Sequence, residues 1–527
     1  MLYHNTQKEG AMKMVRSAIT GHGWRRVFAA AIAATCMLIP SVVSGANQIM
    51  KIGWSTIDIT PTAKRVMLWG FDNAHMSQGI HDTIHATAMA IESASGDMQA
   101  IMISLDLGSA AYGLGDDLRT RLSGQLSGFN LNNLYMFATH THAAPFIYNA
   151  AYAGGTFDST KTMTGQEYRT FLLGRLATVA QNAWNNRSTA TVSWLETTAD
   201  VGWCRIGITA NGTHLFQNKG AHYLSNNDHS LKLLFTYDTG GNVKGVMVNT
   251  ATPAQCANGA YVISSDMWGE VRSQLAAVYP GIQVLPMCAF AGDQGPWDFV
   301  TNFETLVSWT HLTATATKIA NAVKNSFTTA QSSRKSQVEL NHIVSTQTVP
   351  NRPETGGTSS YVLHTIRIGD VAIVNSPAEC FYDYGVDVES RSLAPLTFTV
   401  QLSSDANSPR RPIGYIPTAA ADNPNGCYSE RPENGAVGSP GGQVMANQIV
   451  SQSNGMFGGS TSTRTPAATA TPASGRGSPL SRTGWTVTAR FYDLRGQIIG
   501  SRHASFHGSS GVYIAIDGRQ TRLKVLH

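Results

Sequence analysis

The chain has 527 residues, of which 42% are hydrophobic and only 13% are charged, enough apolar material for a large globular core. Its formal charge of +5 is concentrated at the two ends, because residues 1–46 carry a net +4 and residues 464–527 a net +7. The body between them is therefore about −6, and a mildly acidic body argues against a nucleic-acid-binding protein.

The N-terminus has the pattern of a secretory signal peptide. Arg25 and Arg26 precede an apolar, alanine-rich run over residues 27–43, and small residues at 44–46 offer a cleavage site. At about 17 residues the run is marginal for crossing a bilayer, which makes an uncleaved anchor the weaker alternative. We expect residues 1–46 to be a signal peptide that is removed, leaving a secreted or cell-surface protein.

Residues 47–455 have the pattern of one large α/β domain. Short apolar runs predict strands at 99–107, 230–237, 244–249 and 282–290. Apolar residues at three-to-four spacing predict helices at 168–183, 267–278 and 312–323. Gly369-Asp370, between two further apolar runs, predicts a β-hairpin. This alternation favours mixed sheets covered by helices, a fold class in which active sites lie beyond the strand ends.

Five cysteines lie outside the signal segment, and no two of them have the CxxC spacing of a zinc finger. They are Cys204, Cys256, Cys288, Cys380 and Cys427. An exported protein could pair some of them, but the sequence does not select a pairing. We expect most of them to be buried thiols.

The most informative local motif is THTHAAP at residues 139–145. It follows the apolar run 134–137, so His140 and His142 stand where a buried strand is expected to end. Residues i and i+2 of a strand point to the same face, and imidazole is the commonest metal ligand among side chains. The pattern favours a shared metal site over its alternative, two surface histidines beside a loop.

Across residues 51–456 the chain resembles the neutral/alkaline ceramidase family. The THTHAAP motif is similar to that family's Thr-His-Thr-His-Ser-Gly-Pro signature, and the other matching motifs keep the family's order. They are GIHDTIHA at 79–86, ISSDMWG at 263–269, AGDQGP at 291–296, SPAE at 376–379 and GYIPT at 414–418. The resemblance implies that family's fold and amide hydrolysis at a zinc ion.

The resemblance also implies roles for single residues. The implied zinc ligands are His140, Glu379 and Tyr415. The implied catalytic residues are His142 as a nearby helper, Arg205 facing the substrate, and Tyr428 as a second active-site tyrosine. A zinc ion acidifies its bound water to a pKa of roughly 7, and the hydroxide can attack an amide carbonyl while a cation or phenol stabilises the oxyanion. Without the resemblance, the favoured interpretations are an exposed glutamate at a helix start for Glu379 and an aromatic residue in a loop for Tyr415.

Two positions depart from the family's pattern. Thr252 stands where the resemblance implies a second histidine ligand, and Gly295 stands where it implies a serine. Threonine is a poor zinc ligand. The candidates that could complete the shell are His142, Asp266, Cys256 and a second water. Without the serine, catalysis would have to use metal-bound water, with Asp293 as a candidate supporting partner for a histidine.

A second polar cluster contains His81, Asp82 and His85. On a helix, His81 and His85 would share a face at a spacing that some metal sites use. The favoured interpretation is a loop whose turn Asp82 caps, and Asp82 stays a candidate for a supporting contact. The sequence contains no Gly-x-Ser-x-Gly elbow, P-loop or dinucleotide fingerprint.

After residue 455 the composition changes. Residues 456–482 are rich in Gly, Ser, Thr, Pro and Ala and are predicted to be a disordered linker. Residues 483–527 predict a small all-β module with three short strands. The segments VTARFYDLRG (487–496), GVYI (511–514) and KVL (524–526) resemble the C-terminal sorting domain of type IX secretion substrates. That resemblance implies an export machinery and passage through the periplasm of a Gram-negative-type bacterium; the alternative is an ordinary adhesion module.

Together these patterns predict an exported, zinc-dependent amidohydrolase that cleaves a ceramide or related N-acyl amphiphile to a fatty acid and an amine, with contact to a membrane surface as a further expectation. Thr252 and Gly295 favour the rival interpretation, a catalytically degenerate protein of the same fold that binds surface lipids or glycans. A third interpretation is a metal hydrolase acting on another amide or an ester, since a fold does not fix the substrate.

Overall fold

The computed structural model describes residues 46–458, apart from residues 71–74, 111–112, 148–157, 159, 218–219, 301–306, 405–412 and 424, together with four strands between residues 485 and 525. The chain divides into two compact units, Met1–Ala468 and Thr469–His527. The predicted signal peptide before Ala46 and the predicted linker after residue 458 lie outside the described residues. Within the described part, no helix is long and apolar enough to span a membrane.

The first unit contains 22 strands and six α-helices among its described residues. The strands are β1 (Gln48–Asp58), β2 (Gly79–Ile80), β3 (His85–Ser93), β4 (Gln99–Leu105), β5 (Leu134–Ala138), β6 (Ser188–Thr198), β7 (Trp203–Cys204), β8 (Ile206–Ile208), β9 (His214–Phe216), β10 (His222–Tyr223), β11 (Ser230–Asp238), β12 (Val243–Thr250), β13 (Val262–Ile263), β14 (Gln283–Cys288), β15 (Gln294–Gly295), β16 (Gln337–Val338), β17 (Leu340–Pro350), β18 (Thr358–Ile368), β19 (Val371–Asn375), β20 (Glu379–Cys380), β21 (Leu396–Val400) and β22 (Tyr415–Ile416). The helices are α1 (Leu114–Leu122), α2 (Gly165–Asn185), α3 (Met267–Ala276), α4 (Trp309–Ser332), α5 (Tyr382–Arg391) and α6 (Ser439–Phe457).

Two mixed sheets form the core of this unit. The larger has the strand order β14-β12-β11-β6-β1-β3-β4-β5, with β16 pairing to β1, and the smaller has the order β17-β18-β19-β21. In the larger sheet β12 with β14 and β4 with β5 are parallel pairs, whereas β1, β3, β6 and β11 pair antiparallel. The prediction of mixed sheets with covering helices is confirmed for this unit.

Alternation along the strands explains how the layers stack. In β4, Ile101 and Ile103 belong to the cluster that contains Leu172 of α2, whereas Met102 belongs to the cluster that contains Ile366 of β18. Successive strand residues point to opposite faces, so the large sheet packs a helical layer on one side and the small sheet on the other. Helix α6 then packs on β17 of the small sheet.

Local signals fix several element boundaries. Helix α2 begins with a capping box, in which the Thr164 side chain accepts from the Glu167 N–H and the Glu167 side chain accepts from the Thr164 N–H. The predicted hairpin at Gly369-Asp370 is confirmed, because β18 and β19 pair antiparallel with Ile368 opposite Val371. The five described cysteines are free and buried, as expected.

The second unit contains four strands, β23 (Trp485–Tyr492), β24 (Ile498–Phe506), β25 (Val512–Asp517) and β26 (Gln520–Val525). They form two antiparallel hairpins, β23 with β24 and β25 with β26. The sequence pattern predicted three strands in this segment, and the small all-β module stays a prediction. The resemblance to a sorting domain stays a prediction.

Candidate active site

The histidine motif follows the parallel pair β4 and β5. The N–H groups of Thr139 and His140 donate to the carbonyls of Leu105 and Leu107 at 2.9 and 3.0 Å, which continues the pairing past the strand ends. His140 then adopts a φ of +66°, a conformation uncommon for a residue with a side chain. The two histidines therefore lie in a turn rather than along one strand face as predicted, and their rings still meet edge to face with centroids 4.9 Å apart.

The hydrogen bonds of His140 fix which ring nitrogen is available. Nδ1 lies 2.6 Å from the carbonyl oxygen of Gly108, and because a carbonyl only accepts, Nδ1 carries the proton. The other ring nitrogen, Nε2, is buried and lies 3.0 Å from Oε2 of Glu379. Such an Nδ1–H···O=C contact is typical of histidines that bind metals through Nε2.

Glu379 and Tyr415 reach the same place through a pair of two-residue strands. β20 and β22 are parallel, with Glu379 directly opposite Tyr415. Burial alone would raise the pKa of Glu379, but the nearby imidazole of His140 and the guanidinium of Arg205 outweigh it, so this pKa lies below its ordinary value. Burial and the neighbouring Glu379 carboxylate both raise the pKa of Tyr415, which therefore stays protonated at neutral pH.

Arg205 is the cation of the site. It is 3% exposed, and one terminal nitrogen donates to the carbonyl of Gly292 at 2.7 Å and to the Tyr415 hydroxyl at 3.1 Å. Its carbon Cζ also lies 4.8 Å from the centre of the Phe216 ring. Nε is buried and has no hydrogen-bond partner. A buried donor without a partner is costly, so this N–H is a natural contact for an incoming oxygen atom.

His142 lies beside His140 with both ring nitrogens occupied. Nδ1 is 3.0 Å from Oδ1 of Asn258 and Nε2 is 3.0 Å from Nε2 of Gln255. Because Asn258 Oδ1 accepts and Gln255 Nε2 donates, the ring is neutral with its proton on Nδ1. Burial and the neighbouring His140 lower the pKa of His142 to about 3. A β-carbon on Gly70 would lie 2.3 Å from Nδ1 of this ring. The His142 ring can therefore lie this close to the backbone at position 70 only because that residue is glycine.

Tyr428 lies at the outer side of this cluster. It is 49% exposed, its ring meets Tyr415 edge-on with centroids 5.8 Å apart, and Phe216 lies 6.0 Å away. The structure thus brings five of the six predicted site residues into one cluster through pairwise contacts, and Tyr428 is a partly exposed aromatic neighbour of that cluster.

The residues considered for completing a metal shell have other contacts. Thr252 is buried, with its hydroxyl 3.2 Å from that of Thr250. Asp266 accepts three backbone N–H groups, and burial raises the pKa of the Cys256 thiol well above its ordinary value. Across the described ranges, no group of three or more His, Cys, Asp or Glu side chains is placed to hold a metal ion.

The pair of His140 and Glu379 nevertheless fits two neighbouring ligands of a zinc ion. In a tetrahedral shell with zinc–ligand distances of 2.0–2.1 Å, two ligand atoms lie roughly 3.3 Å apart. The observed 3.0 Å between Nε2 and Oε2 is close to that separation. The hydroxyl of Tyr415 is the remaining candidate ligand in the cluster.

Gly295 and Asp293 belong to the turn behind Arg205. Gly295 pairs with Trp203 across β15 and β7, and a β-carbon there would lie 2.8 Å from Cε2 of Phe299, so Phe299 occupies the space that a serine would need. Asp293 accepts from Ser225 Oγ and from a backbone N–H rather than from a histidine, so the sequence-based suggestion of a histidine partner is wrong. Burial raises the pKa of Asp293 to about 6.

The second polar cluster lies in a loop and two strands. His81 directly follows β2 and His85 begins β3, so the alternative of a shared helix face is wrong. The His81 ring stacks on Trp309 at 3.9 Å, and the cluster lines a cavity of about 290 Å³ that also contains Arg272. Asp82 accepts from Ser264 and Ser265, which lie 182 and 183 positions further along the chain, so its carboxylate connects two distant segments and these contacts do not cap its own turn.

Sequence reasoning missed the residues that hold His142. Gln255 and Asn258 follow Thr252 closely, but no spacing rule connects a glutamine and an asparagine with a histidine more than 110 positions earlier. Their only signal is their position in the loop after β12, at the end of a parallel strand pair.

Comparison with known proteins supports the fold. Residues 50–245 match the family model described as neutral/alkaline non-lysosomal ceramidase, N-terminal. Two solved structures, the crystal structure of neutral ceramidase from Pseudomonas aeruginosa and one of a ceramidase complexed with C2, each superpose with a TM-score of 0.61 at 14% identity, covering 81% of this chain and 77% of theirs. No curated protein matches the sequence. Residues 50–245 thus resemble the ceramidase N-terminal model, and the chain shares the fold of the ceramidase structures.

Proposed function

We propose that this protein is a ceramidase-like hydrolase: an exported, zinc-dependent enzyme that cleaves the amide bond of a ceramide or a related N-acyl lipid. The observation that carries the proposal is the close approach of His140 Nε2 to the Glu379 carboxylate, at 3.0 Å in a buried site. The match of residues 50–245 to the ceramidase N-terminal model and the similarity to ceramidase structures support the same class of reaction.

His140 and Glu379 would hold the zinc, with Tyr415 as the third ligand. When bound, zinc supplies an acidified water at neutral pH and polarises a carbonyl oxygen. The Gly108 carbonyl keeps a proton of His140 on Nδ1, so Nε2 is the ring nitrogen that would bind the metal ion. The lowered pKa of Glu379 keeps its carboxylate ionised, which is the form that binds a cation.

Arg205 would stabilise the negative charge that develops on the carbonyl oxygen during attack. Its charge is buried and its Nε–H has no partner, and donors in a water-excluded site stabilise such charge strongly. Its contacts with Gly292 and the Tyr415 hydroxyl fix the orientation of the guanidinium plane. In the absence of a metal ion the Tyr415 hydroxyl remains protonated, so it can also donate a hydrogen bond to that oxygen.

His142 would form the wall of the site. Its nitrogens are engaged by Asn258 and Gln255 and it is neutral, so it orients neighbouring groups and does not carry a proton during the reaction. Tyr428 and Phe216 offer apolar ring surface beside Arg205, which suits an amphiphilic substrate whose acyl chain approaches from a membrane surface.

A second candidate is a non-catalytic protein that binds surface lipids or glycans on the same fold. Thr252 and Gly295 favour it, because they leave the site without a second imidazole ligand and without a serine. A metal hydrolase that acts on a different amide or on an ester is a third candidate on the same residues.

The deciding experiment combines metal analysis with hydrolysis of a fluorescent N-acyl sphingosine by the purified full chain, before and after chelation. About one zinc per chain, with turnover that chelation abolishes and zinc restores, is the expected result. The variant His140→Ala should lose both. Binding of the lipid without zinc or turnover would instead support the non-catalytic candidate, and turnover of p-nitrophenyl esters alone would support the third.

Export is tested separately. We propose that residues 1–46 are a cleaved signal and that residues 483–527 direct type IX export through the periplasm. Mass spectrometry of the protein secreted by a host with that machinery should give an N-terminus after residue 46. Deletion of residues 483–527 should retain the protein in the periplasm; unchanged secretion would contradict the sorting role.

A further inference from the structure

The Asp266 carboxylate accepts hydrogen bonds from two separate backbone segments, the start of α3 and the loop of residues 255–258. Asp266 is 1% exposed and stands at the N-cap of α3. Its Oδ1 accepts from the N–H of Met267 at 2.8 Å and of Cys256 at 3.1 Å, and its Oδ2 accepts from the N–H of Ala257 at 2.7 Å. The first contact belongs to the helix start, and the other two reach a different segment, the loop of residues 255–258.

That loop holds His142. Gln255 and Asn258, at its two ends, contact Nε2 and Nδ1 of the ring, each at 3.0 Å. The two N–H groups that Asp266 accepts lie between them in the sequence. The carboxylate therefore fixes the backbone from which both contacts to the ring extend.

A second connection runs through Ser264. The N–H of Asp266 donates to Ser264 Oγ at 2.9 Å. The N–H of Ser264 donates to the Ala143 carbonyl at 2.8 Å, and its carbonyl accepts from Thr141 Oγ1 at 3.1 Å. Thr141 and Ala143 flank His142. The turn that carries both histidines is therefore hydrogen-bonded to Ser264, which in turn accepts from the N–H of Asp266.

Asp82 fixes Ser264 from the other side. It accepts from Ser264 Oγ at 2.6 Å, and from the N–H and Oγ of Ser265 at 2.8 and 2.5 Å. Three contacts to two consecutive residues leave this backbone little freedom. Ser264 and Ser265 are fully buried, whereas the Asp82 side chain is 29% exposed. The hydrogen bonds at the two serines are therefore partly shielded from water, and such shielding strengthens them.

Backbone strain occurs at both ends of this network. Asp266 has φ +56° and ψ −146°, a region that is essentially reserved for glycine, and His140 has φ +66°. Such conformations cost free energy and persist only where the surroundings impose them, most often at functional sites. Each strained residue here is held by several buried hydrogen bonds rather than by a glycine.

We propose that Asp266 is a positioning residue of the candidate active site: its carboxylate sets the ring orientation of His142 through the 255–258 loop, and its N–H sets the turn that carries His140 through Ser264. The inference deepens the proposed function and rests on it for its effect on catalysis. The orientation of His142 can be measured whether or not the protein is an enzyme.

The test compares Asp266→Asn with the wild type in the full chain. Asparagine keeps the size and one acceptor oxygen but turns an NH2 group toward a backbone N–H. Ring-nitrogen NMR of ¹⁵N-histidine-labelled protein, with His142 assigned by its loss in His142→Gln, reports the proton position on that ring. Hydrolysis of the N-acyl lipid gives kcat and KM. Thr164→Ala, which removes the N-cap of α2, is the matched control for loss of a helix cap.

We expect Asp266→Asn to shift both ring-nitrogen signals of His142 and to lower kcat/KM by 10–100-fold, the range for residues that orient a site from behind. Thr164→Ala should lower thermal stability while leaving both readouts unchanged. Ser264→Ala, which spares the carboxylate, should shift the same signals by less, and it decides the question if Asp266→Asn does not fold. Wild-type signals in a folded Asp266→Asn protein would overturn the proposal; shifted signals without any wild-type hydrolysis would refute the proposed function alone.

Discussion

Glu379 and Tyr415 stand directly opposite each other in two parallel strands of two residues each. The N–H of Glu379 also donates to the carbonyl of Gly414 at 3.0 Å. Directly paired strand residues point to the same face, so this short pair is sufficient to place a carboxylate and a phenol side by side. Glu379 then contacts His140, and Tyr415 contacts Arg205. Both partners come from earlier, distant segments of the chain.

Replacing Glu379 by glutamine should remove the anionic ligand while preserving the shape of the side chain. Changes behind a metal ligand already cost 10–100-fold in affinity, so we expect the zinc affinity of Glu379→Gln to fall by at least 100-fold and hydrolysis to fall with it. Competition with a chromogenic chelator measures the affinity. Glu433→Gln, at a side chain that is 63% exposed, is the control and should bind zinc like the wild type.

Arg205→Lys should separate charge from geometry. Lysine keeps the positive charge but lacks the planar fork that contacts Gly292 and Tyr415 together. Removing one oriented donor from an oxyanion site typically costs 10²–10³ in kcat, and we expect a loss of that size with a smaller change in KM. Steady-state kinetics on the N-acyl lipid measures both constants. A variant that raises KM at unchanged kcat would show that Arg205 only binds the substrate.

The fold was largely predictable because its signals are local. The three-to-four spacing around Tyr168 and Leu172 predicts α2, and Gly369-Asp370 predicts the β18–β19 turn; the structure has both. Local patterns were less decisive for short polar segments: the helical alternative for His81 and His85 is wrong, whereas the favoured loop interpretation fits His81, which directly follows β2. No local rule distinguishes such short polar segments from loops.

The candidate site was predictable only in part. The histidine motif is visible in the sequence, but the convergence of His140 with Glu379 came from the family resemblance, since 239 positions separate them and only the fold brings them to 3.0 Å. The positive φ of His140 and the loop contacts of His142 depend on buried hydrogen bonds between distant segments. Such contacts leave no periodic trace in a single sequence.

Gly295→Ser should destabilise the protein without creating a nucleophile. The new side chain would begin 2.8 Å from Cε2 of Phe299, and overpacking of a buried site costs about 1–3 kcal/mol. Denaturant unfolding of Gly295→Ser, Phe299→Leu and the double variant measures the coupling. We expect the serine to cost less beside leucine, because the ring no longer occupies its space. Purely additive losses would contradict a steric conflict between these two residues.

His342 should make the protein acid-sensitive. Nε2 of His342 lies 3.2 Å from Nδ1 of His364, and its Nδ1 lies 2.8 Å from the Gln99 carbonyl; burial and the neighbouring His364 lower the pKa of His342 to about 3. Because the folded-state pKa is depressed below the ordinary 6.5, the unfolded state binds the proton first. This contribution to stability is complete above about pH 6.5 and is lost as the pH falls toward 3, by up to about 2 kcal/mol at pH 5.

The measurement is the change in unfolding free energy between pH 7.5 and pH 5 for wild type and His342→Gln, whose amide can still donate to Gln99. We expect the variant to lose less stability on acidification. Asp266 and Asp293, with pKa values raised to about 6, act in the opposite direction, because a raised carboxyl pKa favours the folded state at low pH; they are present in both proteins and cancel in the difference. His222→Gln, at an exposed position, should follow the wild type, and equal acid sensitivity of all three proteins would show that His342 does not cause it.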